Sequence, residues 1–376
     1  MKKVKVATIL GTRPEIIRLS EIIKKADTVF EHYLVHTGQN YDYELNEIFF
    51  DNFGIRKPDI FLNVLADNLG AQIGNIISKS YEVLSTIRPD AVLVLGDTNS
   101  SLSTIAAKRL KIPIFHMEAG NRCFDQNVPE EINRKIVDHI SDINLPYTEN
   151  SRRNLLREGI KSDHIFVTGS PLFEVYTRNY DSINRSKVLN KLNLSTQKYI
   201  VVSIHREENV DNDQNFKSIC DSLNAIVSHY QYPIIFSTHP RTKKKIQEQQ
   251  IKFNPLIQNI PPLGYFDYVK LQKNAFVVLS DSGTISEESA IYQFPAISIR
   301  TSTERQEALD AGTILLGGIT SAEILDAINI LYMTLNKEAQ SVPPEYKVLD
   351  VSSKVIRLIK SYFPIINQVV WNKSYK

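Results

Sequence analysis

The chemically unusual residues of this chain fall in short clusters, each directly behind a run of β-formers. Asp281-Ser282-Gly283-Thr284-Ile285-Ser286-Glu287-Glu288 follows the apolar run FVVLS and opens a helix. Ser282, Gly283 and Thr284 would offer N–H groups and hydroxyls to a diphosphate at the positive helix end. Glu288 lies one turn on, along the face of Thr284, where a carboxylate can accept two hydrogen bonds from ribose hydroxyls. A phosphate seat with an acid for ribose means a nucleotide. The same residues also satisfy a capping box with Ser282 or Thr284 as cap.

Acids and cations cluster behind other strands. Gly96-Asp97-Thr98 follows AVLVL, and Glu118 follows the next strand in His116-Met117-Glu118-Ala119-Gly120. Two carboxylates at neighbouring strand ends fit proton transfer, because crowding like charges raises a carboxylic pKa; Asp97 as a helix cap is the alternative. Glu130 and Arg134, in Pro129-Glu130-Glu131-Ile132-Asn133-Arg134, are four apart and share a helix face. They form either a plain ion pair or an acid held by its cation. Gly11-Thr12-Arg13-Pro14-Glu15 turns from strand to helix, with Thr12 as candidate cap. Arg13 is a forked donor suited to phosphate, and Arg18 five residues on can share its site. His205, in His205-Arg206-Glu207-Glu208-Asn209, can donate to a phosphate oxygen or serve as acid or base; His239, before Pro240-Arg241, is a parallel case. His-x-Glu lacks a second histidine at helical spacing, so no metal is expected. There is no GxGxxG, Walker loop or GxSxG, which argues against common dehydrogenases, P-loop NTPases and α/β-hydrolases.

The elements that must position these residues alternate. Strands are expected at Val4–Leu10, Tyr33–His36, Ala91–Leu95, Ile112–His116, Ile143–Leu145 and His164–Val167, with helices at Pro14–Lys25, Gly70–Ile87, Ser100–Leu110, Glu130–Ser141 and Ser151–Glu158. The rhythm breaks between Gly169 and Asn193 and then restarts. The second set has strands at Tyr199–Ile204, Pro233–Ser237, Phe276–Leu279 and Ala296–Ile299. Its helices are Asn215–Ser228, Thr242–Lys252, Tyr265–Lys273, Thr284–Ile291 and Ala322–Leu335. Such alternation implies parallel sheets of right-handed βαβ units. The fold class read here is α/β, with two Rossmann-like doubly wound domains facing a cleft. The N-terminal domain is expected over 1–170, joined by a C-terminal helix over 351–376, and the nucleotide domain over 171–350. Val351–Trp371 is apolar at helical spacing and contains Pro364, where a kink is expected.

Composition narrows the class further. The 376 residues suit two domains, and 42 % apolar against 23 % charged is an ordinary globular balance. With 44 Lys and Arg against 42 Asp and Glu, net charge +2 gives no case for a nucleic-acid partner. The run Arg241, Lys243, Lys244, Lys245 reads as a solvated helix face. Two cysteines exclude a disulfide framework. No stretch approaches a transmembrane length, and the N-terminal apolar run is too short for a signal peptide; a cytoplasmic protein without membrane contact is expected.

Together the motifs resemble the non-hydrolysing UDP-N-acetylglucosamine 2-epimerase family over essentially the whole chain. They are GTRPE (Gly11–Glu15), GDT (Gly96–Thr98), MEAG with Arg122, PEE-x-NR (Pro129–Arg134), TGSP (Thr168–Pro171), HREEN (His205–Asn209), DSG-xx-EE (Asp281–Glu288) and TERQE (Thr303–Glu307). The resemblance implies a GT-B-like architecture and inversion at C2 of a UDP-linked N-acetylhexosamine by elimination and re-addition of UDP. It implies no cofactor, a UDP-sugar as partner and a homodimer. By motif, Asp97, Glu118 and Glu130 map to acid/base groups. Arg13, His205, Ser282 and Gly283 map to the diphosphate grip, Glu288 to the ribose and Arg305 to the cleft. Arg18 stands where the family usually has lysine, and Gly283-Thr284 where it has Gly-Gly. Thr37-Gly38-Gln39-Asn40-Tyr41-Asp42-Tyr43-Glu44 replaces a Gln-His-Arg-Glu-Met stretch tied to allosteric substrate binding. These variants resemble the capsule and O-antigen branch, which acts on UDP-2-acetamido-2,6-dideoxy-L-talose. A GT-B glycosyltransferase, a hydrolysing 2-epimerase and a non-catalytic UDP-sugar sensor are the competing readings.

Overall fold

The computed structural model describes residues 3–38, 43–300, 303–334 and 342–373; Gln39–Asp42, part of the stretch singled out above, lie outside them. The chain divides into two units, one of Met1–Thr177 with Pro344–Lys376, the other of Arg178–Pro343.

Unit 1 is built on a parallel sheet of β1 (Lys5–Leu10), β2 (Glu31–His36), β3 (Ile60–Phe61), β4 (Ala91–Leu95), β5 (Ile114–Met117) and β6 (Ile143–Leu145). Their order is β3-β2-β1-β4-β5-β6. β1, β4 and β5 are buried nearly throughout, as parallel strands covered on both faces must be. One face packs Ala7, Ile9, Val92 and Val94 against Ile76, Leu84 and Val137 of the crossing helices. The helix Val351–Val369 belongs to this unit and runs through Pro364. It packs on the helix Arg13–Val29.

Unit 2 repeats the plan with β7 (Ile200–Ser203), β8 (Ile234–Ser237), β9 (Ile257–Ile260), β10 (Val277–Ser280), β11 (Ala296–Ser298) and β12 (Leu315–Leu316), ordered β12-β11-β10-β7-β8-β9. Counted from its own first strand, each unit has order 3-2-1-4-5-6. The order reverses between β1 and β4 in one unit and between β7 and β10 in the other. A doubly wound sheet binds ligands outside the carboxyl ends of the strands that flank this switch point. Those four strands lead directly into Gly11-Thr12-Arg13, Gly96-Asp97, His205 and Asp281-Ser282-Gly283.

The sequence expectation needs correction at several elements. The strand expected at His164–Val167 is a short 3-10 turn, Ser162–His164, followed by a single bridge from Ile165 to Asn144. The structure adds β3, β9 and β12, which the hydrophobic pattern did not mark. The basic run lies on an exposed helix face, as expected, where Arg241 pairs with Glu207 and Asp211, Lys244 with Glu248 and Lys245 with Asp213. No helix among the described residues is long and apolar enough to cross a membrane.

Candidate active site

The acids of unit 1 stand on adjacent strand ends. β4 pairs in parallel with β5, and the Gly96 N–H donates to the Met117 carbonyl at 2.9 Å, so Asp97 and Glu118 leave the sheet side by side. Gly96 has φ +71°, and Glu118 Oε2 lies 3.4 Å from where a Cβ on Gly96 would stand. Glycine is therefore favoured here by the left-handed backbone, while a Cβ would meet the carboxylate only at ordinary contact distance. Glu118 itself has φ +63°. That conformation costs a side-chain-bearing residue about 1–2 kcal/mol, the kind of strain that collects at functional sites. Asn121 Nδ2 reaches Glu118 Oε1 at 3.4 Å.

Asp97 is held by the helix Pro129–Ile140. Arg134 Nε donates to Asp97 Oδ2 at 2.7 Å, and Asn133 Nδ2 donates to the Asp97 carbonyl at 2.9 Å. Arg134 is shared with Glu131, whose Oε2 accepts Nη1 at 2.7 Å. The cation named in the sequence thus bridges Asp97 and the fully buried Glu131, an i,i+3 partner the i,i+4 reading passed over. Glu130, in the first turn of that helix, is half-buried.

Arg13 opens the helix Arg13–Val29 and is half-buried, whereas Arg18 is buried on the same helix. Between their turn and that of Asp97 lies Glu15. Its Oε2 accepts the Gly11 N–H (3.0 Å), the Thr12 N–H (2.7 Å) and the Thr12 hydroxyl (2.7 Å). Its Oε1 accepts the hydroxyls of Ser100 (2.7 Å) and Thr98 (3.2 Å). Burial pushes the Glu15 carboxyl up, while these donors pull it down. One buried carboxylate therefore ties the loop after β1 to the loop after β4. A second such knot lies beneath Glu118. His116 Nε2 donates to the Gly96 carbonyl at 2.9 Å, and its Nδ1 lies 2.9 Å from Asp138 Oδ1. Asp138 also pairs with Arg122 at 2.8 Å and accepts the Gly120 N–H. Burial pushes the Asp138 carboxyl up, but His116 and Arg122 outweigh it and hold it below the usual range.

In unit 2 the switch point is built on Asp281. This fully buried carboxylate accepts the backbone N–H of His205 (3.1 Å) and Arg206 (3.0 Å) and the Asn209 side-chain amide (3.1 Å). It thereby fixes the loop after β7 to the end of β10. His205 Nδ1 lies 3.3 Å from Asp281 Oδ1, and the ring is 43 % exposed. Ser282, Gly283 and Thr284 lead into the helix Ile285–Tyr292. The Ser282 Oγ lies 3.0 Å from Thr284 Oγ1 and accepts the Thr284 N–H at 3.3 Å. Glu288 is anchored from two sides: Thr284 Oγ1 donates to Oε1 at 2.7 Å and Gln272 Nε2 to Oε2 at 2.9 Å. Each oxygen keeps a lone pair for a further donor.

Two further unit 2 candidates have partners within that unit. Arg305 is buried against Glu287, Nη2 to Oε2 3.5 Å. His239 caps the helix Pro240–Glu248, its Nδ1 accepting the Arg241 N–H at 3.4 Å. The structure thus brings Asp97, Glu118 and Arg134 together in unit 1, and Ser282, Gly283, Thr284 and Glu288 in unit 2. Glu15, Glu131, the His116–Asp138 pair and Asp281 were not assigned from sequence. Glu15, Glu131 and Asp138 lie on helices and His116 on β5, and no local pattern marks them as site residues.

Comparison with known proteins agrees with this architecture. A family model described as UDP-N-acetylglucosamine 2-epimerase matches residues 23–360. The UDP-N-acetylglucosamine 2-epimerase of Rickettsia bellii has a structure similar to this one at TM-score 0.91 and 48 % identity, covering 99 % of this chain and all of its own. The enzyme of that name from Methanocaldococcus jannaschii is 38 % identical over 343 residues, 89 % of this chain and 93 % of its own. Its structure in complex with UDP-GlcNAc and UDP matches at TM-score 0.88, covering 95 % and 99 %. A UDP-2,3-diacetamido-2,3-dideoxy-D-glucuronate 2-epimerase of Pseudomonas aeruginosa is 32 % identical over 343 residues, 89 % and 95 % of the two chains. With two Rossmann-like doubly wound units of GT-B-like class and a family match over most of its length, the chain belongs to the UDP-N-acetylglucosamine 2-epimerases, a family of isomerases.

Proposed function

We propose that the protein inverts C2 of a UDP-N-acetylhexosamine without net hydrolysis. The observation that carries this reading is the split of chemistry between the two units. Carboxylates crowd the switch point of one, and a helix start with an anchored ribose-type acid marks the other. Nucleotide binding alone does not call for the first.

The C2 proton is too weakly acidic for simple removal, so the reaction runs by anti elimination. A carboxylate takes the C2 proton, the C–H pair becomes a C1–C2 double bond, and the C1–O pair leaves with UDP. Re-addition returns a proton to the opposite face of C2 as the UDP oxygen rejoins C1. Asp97, Glu118 and Glu130 take up and deliver the proton. Arg134 keeps Asp97 oriented, and the loop knots of Glu15 and His116 hold the acids in place. In unit 2, Ser282 and Gly283 take the diphosphate at the helix start, His205 donates to it, and Glu288 takes the ribose. Arg13 adds charge for the departing UDP.

The substrate is a UDP-N-acetylhexosamine; the UDP-N-acetylglucosamine/mannosamine pair and the 6-deoxy-L-talosamine/fucosamine pair are the members to try. The product would supply surface-polysaccharide synthesis. Incubation with each UDP-sugar in D2O, read by NMR, tests the reading. Deuterium at C2 of recovered UDP-sugar is expected. Free hexosamine with UDP would show hydrolysis, and no exchange with any UDP-sugar would refute the catalytic reading.

A further inference from the structure

The space over Gly283 is already taken by an anion, and that anion belongs to the protein. A methyl group built on Gly283 would overlap Glu304 Oε1. The same oxygen lies 3.5 Å from Arg206 Nη2, and Glu304 Oε2 accepts Arg300 Nη1 at 2.8 Å. Glu304 is no surface side chain resting there by chance: it is 6 % exposed, and the Arg300 side chain 1 %. Arg300 Nη2 has no hydrogen-bond partner among the described residues. Its Nε lies 3.4 Å from Glu208. Two guanidinium groups and a helix start therefore converge on one point, and a carboxylate sits on it.

Such a convergence suits phosphate better than carboxylate, because phosphate offers more acceptor oxygens in more directions. The two anions cannot share the seat, since they would overlap and repel. Withdrawing Glu304 makes the surroundings of Arg206 and Arg300 more positive by one charge.

We propose that Glu304 is a built-in competitor for the diphosphate seat. Incoming nucleotide displaces it and takes over Arg300 and Arg206, and its return helps expel UDP. Glu304 thus weakens nucleotide binding, the reverse of what a buried polar residue at a binding site ordinarily does. The proposal rests on the reading that this seat takes the UDP diphosphate.

Calorimetric titration of the full-length protein and Glu304→Gln with UDP tests it. The variant keeps the side chain's size and removes its charge, so UDP should bind about tenfold tighter. Inorganic pyrophosphate should gain in the same direction, while uridine, which has no phosphate, should bind both proteins alike. Arg300→Gln should weaken UDP. Glu304→Asp, which keeps the charge on a shorter arm, should fall between wild type and Glu304→Gln, and carries the test if the glutamine variant does not fold. If wild type binds UDP and Glu304→Gln binds it equally or more weakly, the competitor is overturned while the proposed function stands. If neither protein binds UDP, both fall. An equal gain for uridine would place the effect outside the phosphate seat and also overturn the proposal.

Discussion

Asp97 carries the sharpest residue-level expectation. Its carboxylate is fixed by Arg134 and its carbonyl by Asn133, so Asp97→Asn changes the proton-carrying oxygen and little else in shape. Deuterium incorporation at C2 should fall by about three orders of magnitude, with UDP affinity by calorimetry unchanged. Exchange surviving within tenfold of wild type would remove Asp97 from the role given it. His36, at the end of β2, carries a pH expectation instead. It is 2 % exposed, its Nδ1 accepts the Gly38 N–H, and burial pushes its imidazole down from 6.5 to about 4. The folded ring therefore refuses a proton that the unfolded chain accepts. Stability is fully present above pH 6.5 and drains away as pH falls toward 4, at about 1.4 kcal/mol per pH unit and about 3 kcal/mol in all. Urea unfolding at pH 7 and pH 4.5 should show this loss in wild type and much less of it in His36→Asn, which keeps an acceptor for Gly38. Equal acid sensitivity in the two proteins would show that His36 is not the group responsible.

At the scale of elements, the loops after β1 and β4 behave as one piece because Glu15 bonds to both. Glu15→Ala leaves five donors around a buried gap. It should cost about 3 kcal/mol or more in urea unfolding, since each stranded buried donor carries a penalty of about 1–3 kcal/mol before water or relaxation offsets it. Turnover should drop far more than UDP affinity, because the loops carry Asp97 while Arg13 is their one group assigned to UDP. A variant as stable and active as wild type would leave Glu15 a bystander. The elements themselves were legible where burial writes a strong pattern. AVLVL and YIVVSI announce strands covered on both faces, and the polar cluster after each marks a strand end. The pattern was silent for β9, whose Gln258 and Asn259 face solvent on a sheet edge, and for β3 and β12, which are two residues long. It overreached at His164–Val167, where β-formers meet the sheet at one bridge only. The site was legible as residue types but not as partnerships. Spacing marked Glu130 and Arg134 as helix neighbours, yet the contacts to Asp97 and Glu131 depend on how a helix lies against a strand end. Likewise nothing local to Thr303–Glu307 shows that Glu304 reaches Gly283.

At the scale of the molecule, unit 1 is discontinuous: its sheet comes from the first 177 residues, yet its last helix is the end of the chain. That helix buries Val355, Ile356, Ile359, Phe363 and Ile366. Its first turn is pinned by Glu174, which accepts the Ser352 N–H at 2.8 Å and the Ser352 hydroxyl at 2.6 Å. Lys25 of the helix Arg13–Val29 donates to Ser353 at 2.6 Å. Losing five buried apolar side chains at about 1.5–3 kcal/mol each exceeds the whole margin of a typical domain, so unit 1 should not survive removal of residues 351–376. Unit 2 keeps its own sheet, and its core of Ile200, Val202, Phe236, Val277 and Leu279 draws nothing from that helix. Hydrogen exchange on the truncated chain should therefore show lost protection in Arg13–Val29 and β1, with amides of β7 and β10 still protected. Catalysis should vanish while UDP still binds, weakened only by the loss of Arg13, because the rest of the proposed nucleotide seat (His205, Ser282, Gly283 and Glu288) lies in unit 2. Retained protection in β1 would show that the terminal helix is dispensable to unit 1. Collapse of β7 and β10 along with it would show instead that the two units fold as one.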